Sequence, residues 1–385
     1  MSLRILADEN IPAADYFFAP LGEVRHTNGR NLQRLELEGI DALLVRSVTR
    51  VDESLLAGSA VRFVGTATSG VDHIDRDYLA RNSISFSHAP GSNANSVVEY
   101  VLAAIAAVED KLERLLVGGR VGVVGYGVIG KMLVSRLAAL GIDYCVFDPW
   151  LAAGVVSHPA TLAEVLACNV VTLHPELTRE QPWPSFHLLS QAELECVDSN
   201  ALLINASRGP VIDNAALLAR LEKGRAPCTV LDVWEGEPKI DAALLGRATL
   251  GSAHIAGYSL DGKLLATRML RDALAAHLQH PPIDQVSPAG ELPVITIEAG
   301  LKGAALLRFL LQSRYDITED DSLLRDAVLG NVSAVAGDGF DRLRKTYGER
   351  RELLGSQVIG TLHSAADRAL VQGLGCTLTA EEITP

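Results

Sequence analysis

Short apolar runs, each bounded by polar or turn-forming residues, recur along most of the chain. In the first ninety positions they are Arg4-Ile5-Leu6-Ala7, Ala42-Leu43-Leu44-Val45, Val61-Arg62-Phe63-Val64 and the weaker Ser83-Ile84-Ser85-Phe86. Runs this short read as buried strands, and the helical stretches between them predict parallel strands joined by crossovers. Apolar residues then dominate 93–107, opened by the polar cluster Pro90-Gly91-Ser92-Asn93, which predicts one helix long enough to tie two lobes together. A second series follows from Gly119, with strands predicted at 120–124, 144–147, 170–173, 201–205, 229–233 and 250–252. Helices at 131–140 and 214–223 fit the gaps, and the whole matches a doubly wound dinucleotide domain. The helical stretch 263–280 is broken by Pro281-Pro282, and 283–385 has patterns of its own: a strand at 292–297, a helix at 304–311 and a basic helix at 340–352. The fold class is therefore α/β in three parts, 1–95, 96–256 and 283–385, the first completed by about 257–280.

Composition bounds the function. At 385 residues the chain is too long for a single core, since domains run to roughly 100–200 residues. No apolar run approaches the roughly 18 residues that span a bilayer, and acidic residues enter the N-terminus too early for a signal peptide. Five scattered cysteines without CxxC spacing point away from disulfides and zinc, so no metal is expected and a reducing cytoplasm is. The net charge of -13 argues against a nucleic-acid binder, whose affinity rests on neutralising phosphates. In the basic stretch Arg342, Arg344, Lys345, Arg350 and Arg351 are interleaved with Asp341, Glu349 and Glu352, which favours a solvated or interfacial helix.

Val121-Gly122-Val123-Val124-Gly125-Tyr126-Gly127-Val128-Ile129-Gly130 is a strand entering GxGxxG and then a helix. Gly125 makes the tight turn, Gly127 admits the pyrophosphate and Gly130 lets helix and strand approach. The pyrophosphate is expected on the helix N-terminus around Val128 and Ile129, where free N–H groups favour anions. The next strand ends in Asp148, 18 residues past Gly130 and near the ~20 expected of a ribose-binding acid. A carboxylate there accepts from ribose hydroxyls and repels a 2′-phosphate, which favours NAD over NADP. A glycine turn with an incidental aspartate is the bland alternative.

Three later strands each end beside an ionisable residue: Asn205-Ala206-Ser207-Arg208, Asp232-Val233-Trp234-Glu235-Gly236-Glu237-Pro238 and Ala253-His254-Ile255-Ala256-Gly257-Tyr258. Ligands of open α/β sheets bind beyond the carboxyl ends of the strands. A guanidinium there can hold an α-carboxylate or polarise a C2 oxygen. An imidazole can take the hydroxyl proton, and a carboxylate on its far nitrogen favours the protonated ring. Spacing does not separate Glu235 from Glu237, and each residue alone can be a surface or capping group.

These segments resemble the D-isomer-specific 2-hydroxyacid dehydrogenases, a family with catalytic Arg, Glu and His in that order. The resemblance puts Arg208, Glu237 and His254 in the catalytic positions and selects Glu237 as the second glutamate of Glu-Gly-Glu-Pro. It implies a Rossmann-type NAD domain, a flavodoxin-like substrate domain and, in 283–385, a C-terminal α+β dimerisation domain. NAD contacts are implied for Ala206, Ser207, Arg208, Asp232 and Gly257, with Asp232 toward the carboxamide, and substrate contacts for Ser47, Thr68 and Tyr258. The tail and four N-terminal segments (Leu6–Pro12, 45–49, 65–70 and 89–93) narrow it to a branch whose substrate is a phosphorylated hydroxy acid. The implied reaction converts 4-phospho-D-erythronate to 2-oxo-3-hydroxy-4-phosphobutanoate, on a route to pyridoxal phosphate, in a homodimer. Arg46 is a further candidate for neutralising the phosphate, or a strand-end arginine in an ion pair. One departure is Pro175, where the family usually has a threonine facing NAD, so that contact is absent. The rival readings are a relative acting on glycerate, lactate or 3-phosphoglycerate, and an NAD-responsive binding protein like the corepressors built on this scaffold.

Overall fold

The apolar runs become the strands of two parallel sheets in a computed structural model that describes residues 3–362 and 364–379. One compact unit comprises Met1–Asn93 and Ser259–Glu291, the other Ala94–Tyr258 and Leu292–Pro385.

In the first unit the strands are β1 (Leu3–Asp8), β2 (Gly22–Thr27), β3 (Ala42–Val45), β4 (Phe63–Thr66) and β5 (Ser85–His88), ordered β2-β1-β3-β4-β5. This is the flavodoxin-like order. Strand β3 is buried along its whole length, as a central parallel strand covered on both faces must be. The edge strand β2 was not predicted, because its sequence Gly-Glu-Val-Arg-His-Thr carries mostly polar, partly exposed side chains. The helix Leu260–His277 starts three residues before the expected 263 because the Ser259 hydroxyl accepts from the Gly262 N–H. Its Leu264, Leu270 and Leu274 pack with Ile5, Ala7, Leu44 and Phe63.

The second unit holds β6 (Arg120–Val124), β7 (Asp143–Phe147), β8 (Val170–Leu173), β9 (Leu202–Asn205), β10 (Cys228–Leu231) and β11 (Leu250–Gly251), ordered β11-β10-β9-β8-β6-β7. A single parallel bridge between Val146 and Pro159 lies beside β7. It occupies the place of the third strand in the 3-2-1-4-5-6 order of dinucleotide sheets. The helix Ala94–Ala107 is buried on all sides except at its last residue, which explains its nearly continuous apolar sequence. Its polar side chains are partnered: Tyr100 Oη with Ser252 Oγ at 2.7 Å, and Ser96 Oγ donating to the Ala256 carbonyl at 2.9 Å.

Residues 292–379 add a small parallel sheet, β12 (Ile295–Thr296), β13 (Gln357–Ile359) and β14 (Thr377–Leu378), with helices Gly303–Gln312, Ile317–Val328, Ser333–Lys345 and Ala365–Gly373. Leu306, Leu307 and Leu310 share one apolar core with Ile105, Leu133 and Leu137. The expected strand at 292–297 shrinks to two residues, since Pro293 has no N–H for a ladder. The expected basic helix at 340–352 is displaced: the helix runs Ser333–Lys345, and residues 346–352 are not helical. Arg350 is buried rather than solvated, donating to the carbonyls of Ala256 (3.3 Å) and Ser96 (2.9 Å). Among the described residues no helix is long and apolar enough to cross a membrane.

Candidate active site

Strands β9, β10 and β11 are neighbours, so the segments that leave their carboxyl ends are neighbours too. Each carries one of the three residues expected to be catalytic. The first segment is built by Asn205, fully buried at the end of β9. Its Oδ1 accepts from the Ser207 N–H (3.1 Å) and hydroxyl (2.8 Å), and its Nδ2 donates to the Arg208 carbonyl at 3.0 Å. The turn fixes the backbone of Ala206, Ser207 and Arg208, and the Arg208 guanidinium donates to the Ser207 carbonyl at 2.9 Å. Gly209 then lies directly against the next segment: a Cβ there would come within 2.1 Å of Trp234 backbone. Neither Asn205 nor Gly209 was singled out in the sequence, because their roles lie in backbone geometry.

The segment after β10 separates the two glutamates that spacing left tied. Glu235 turns to His187 Nε2 (2.7 Å) and accepts from the Asn214 N–H (3.0 Å). Glu237 accepts from the Trp234 N–H (2.8 Å) through Oε1, and its Oε2 meets His254 Nδ1 at 2.7 Å. Burial pushes the Glu237 carboxyl up, but His254, the Trp234 N–H and the more distant Arg344 outweigh it and hold Glu237 below its ordinary range. The far ring nitrogen of His254 is thereby assigned: Nδ1 carries a proton toward Glu237, which leaves the Nε2 lone pair to act as a base.

His254 adopts a left-handed backbone (φ 55), rare for a residue with a side chain, and its N–H donates to the Asp232 carbonyl at 2.7 Å. Strain of this kind persists only where the surroundings over-determine it. Asp232 supplies that constraint. Its carboxylate, 1% exposed, accepts from Ser252 Oγ (2.7 Å) and from the N–H groups of Ile255 (2.7 Å) and Ala256 (3.0 Å). Burial raises the Asp232 carboxyl even so. Three donors leave one of a carboxylate's roughly four acceptor positions for a carboxamide.

The residues around β6 fit a dinucleotide. Gly125 is left-handed (φ 91), and a Cβ on it would come within 2.7 Å of Pro175 N, so Pro175 packs on the glycine turn. A Cβ on Gly130 would lie 2.1 Å from the Gly125 carbonyl oxygen, the helix–strand approach expected of it. Gly127, by contrast, has nothing within 4 Å of such a Cβ, and it opens the helix Val128–Ala139. Bare backbone at a helix N-terminus with open space beside it suits a pyrophosphate. Asp148 directly follows β7 and is oriented by the N–H groups of Tyr126 (2.8 Å) and Trp150 (3.1 Å).

In the first unit Ser47 and Thr68 follow the adjacent strands β3 and β4. Ser47 is exposed, and Thr68 Oγ1 lies 2.8 Å from both Thr66 Oγ1 and the Gly70 carbonyl. Lys263 was not anticipated, having no motif around it. Burial and then the positive charge of Arg46 push its ammonium down to about 8, so two cations gather on this face of the first unit. Tyr258, in the second unit, accepts a 3.1 Å hydrogen bond from Arg344 Nη2, a contact with no sequence signal at all.

Residues 103–256 match the family described as D-isomer specific 2-hydroxyacid dehydrogenase, NAD binding domain, and residues 286–375 match a domain of unknown function. The erythronate-4-phosphate dehydrogenase of Stutzerimonas stutzeri is 44% identical over 380 residues, covering 98% of this chain and 100% of its own length. That of Salmonella arizonae is 44% identical over 378 residues, covering 97% and 98%. A solved D-lactate dehydrogenase from Aquifex aeolicus, in complex with NAD and lactic acid, is 21% identical and superposes over 71% of this chain and 95% of its own with a TM-score of 0.59. The likeness to that structure is one of fold.

Proposed function

This chain belongs to the erythronate-4-phosphate dehydrogenases, within the D-isomer-specific 2-hydroxyacid dehydrogenases, and we propose on that premise how its residues oxidise 4-phospho-D-erythronate at C2. The protein is an NAD-dependent oxidoreductase of the vitamin B6 route. The reading of its site rests on one observation above all: the 2.7 Å bond from Glu237 to His254 Nδ1, beside the strand end that carries Arg208.

His254 Nε2 takes the C2 hydroxyl proton while the C2 hydrogen leaves with its electron pair. NAD, when bound, supplies the acceptor for that hydride. The bond between C2 and its oxygen becomes a carbonyl, and the imidazolium is stabilised by Glu237. Arg208 orients the α-carboxylate or polarises the C2 oxygen through its planar fork. Gly125, Gly127, Val128, Ile129, Gly130, Ala206, Ser207 and Gly257 offer backbone to the dinucleotide, Asp148 its carboxylate to the ribose, and Asp232 holds the His254 segment. Ser47, Thr68 and Tyr258 offer hydroxyls to the substrate.

Homodimerisation through 283–385 is part of the same reading, supported by exposed Leu323, Val332 and Val335 in that segment. A cytoplasmic location is supported by the free thiols of all five cysteines.

The test is NADH formation, followed by absorbance, with 4-phosphoerythronate, D-glycerate and 3-phosphoglycerate side by side and a 2-oxo acid present to reoxidise retained NADH. Selective turnover of 4-phosphoerythronate is expected. Preference for an unphosphorylated acid would leave the Arg–Glu–His chemistry and remove the substrate. Binding of NAD without any turnover would favour the non-enzymatic alternative.

A further inference from the structure

The C-terminal segment sends several arginines inward, and most of them are committed. Arg308 pairs with Glu113 at 2.8 Å, and Arg325 with Asp321 at 2.8 Å. Arg350 donates to two carbonyls and stacks on Tyr315, 3.8 Å from the ring centroid. Arg344 differs. Its Nη2 donates to Tyr258 Oη at 3.1 Å, its guanidinium lies 5.8 Å from the Tyr258 ring centroid, and its buried Nε has no partner. Among the described residues no carboxylate comes within 4 Å of it, although Glu237 is near enough to feel its charge. A half-buried guanidinium with one hydrogen bond and no ion pair keeps most of its five donors for something else.

The substrate of the reading above carries two anions, and the second unit has one cation assigned to them. Arg208 serves the α-carboxylate or the C2 oxygen, at the other end of the substrate from the phosphate. The phosphate monoester, with about −1.5 to −2 charges at neutral pH, has nothing on this side to balance it. Glu237 makes the balance worse. A planar guanidinium binds phosphate through parallel charge-assisted bonds, and a tyrosine hydroxyl that accepts from a guanidinium becomes a stronger donor itself. Tyr258 stands four residues beyond His254 in the same segment.

We propose that Arg344 is a specificity residue that holds the substrate phosphate together with Tyr258. The proposal rests on the function inferred above and gives part of the matched domain of unknown function a role: it brings to the site a cation that Arg208, Glu237 and His254 do not provide.

The experiment compares kcat/KM for 4-phosphoerythronate and for unphosphorylated D-erythronate in the wild type, Arg344→Gln and Arg344→Lys. It adds calorimetric titration of the NAD-loaded protein with inorganic phosphate. In Arg344→Gln the selectivity ratio is expected to fall roughly ten- to a hundredfold, through KM, with phosphate binding weakened in step and Arg344→Lys between the two. An unchanged ratio overturns the proposal, and so does an equal loss on both substrates, which would make Arg344 a support for Glu237 and Tyr258. If Arg344→Gln does not fold, Arg344→Lys reads the same ratio, because it keeps the cation and loses the fork. A wild type that does not prefer the phosphorylated acid sinks the substrate reading instead. The phosphate titration then decides for Arg344 by itself: weaker binding in the variant supports the anion site, and equal binding removes it.

Discussion

Beyond β3 and β4 the chain places Ser47 and Thr68, neutral hydroxyls, with Arg46 and Lys263 as the nearby charges. Beyond β9, β10 and β11 it places Arg208, Glu237 and His254, and ties them to buried Asn205 and Asp232. The two sheets share a construction, parallel strands with candidate site residues at their carboxyl ends, and differ in how tightly those ends are held. In the second unit a carboxylate with three donors and a left-handed histidine fix one geometry. In the first, the Ser47 side chain is exposed and the Thr68 hydroxyl bonds to Thr66 and to the Gly70 carbonyl. Rigid, pre-set groups suit proton transfer, whose efficiency depends on sub-ångström placement, whereas hydroxyls on a looser face suit recognition.

The sharpest way to break this contrast is to delete the proposed base. His254→Ala is expected to lower kcat about 10²- to 10⁴-fold while NAD binding, read by fluorescence titration, stays near wild type. Near-normal turnover would remove His254 from the chemistry. Asp232→Ala comes next. It strands the N–H groups of Ile255 and Ala256, each costing about 1–3 kcal/mol when buried without a partner. The expected outcome is a melting temperature lower by about 10 °C or more, with activity falling alongside it. A variant as stable as the wild type would show that the His254 segment holds itself.

In the first unit Thr68→Ala is expected to raise KM for substrate about tenfold with kcat nearly unchanged, the worth of one hydrogen bond. If it lowered kcat as His254→Ala does, the division between recognition and chemistry would fail. The smallest effect, on stability, sets the units side by side. Burial holds His73 of the first unit at about 4, against a smaller opposing pull from Asp72, and burial holds His174 of the second at about 3. Both imidazoles are neutral in the folded chain. As pH falls below the ordinary 6.5, the unfolded chain gains protons the folded chain refuses, so stability declines down to about 4 for one and 3 for the other. Thermal melts between pH 7.5 and 5 should show the decline, and His174→Gln should flatten it. A slope unaffected by that substitution would put the acid sensitivity elsewhere.

Much of this was legible in the sequence where burial on both faces produced unbroken apolar runs. Strands β3, β6 and β8 fall on the predicted positions for that reason, and Gly125, Gly127 and Gly130 form the expected turn between strand and helix. Strand β2 escaped because an edge strand does not need apolar residues on both faces. In the C-terminal segment charge was a poor guide to position: the basic run suggested a solvated or interfacial helix over 340–352, whereas the helix ends at Lys345, Arg350 satisfies buried carbonyls and Arg344 faces Tyr258. The choice between Glu235 and Glu237 needed the family pattern; in the structure the two have separate partners, His187 and His254.

The helix Ala94–Ala107 has one more implication. Glu99, buried within it, accepts from the N–H groups of Leu353 (2.9 Å) and Leu354 (3.0 Å), while Arg350 caps the Ala256 carbonyl on the segment that carries His254. The tail is thus a keystone and not an appendage. A chain ended at residue 282 would bare a carboxylate and two carbonyls, one of them on the segment that carries His254.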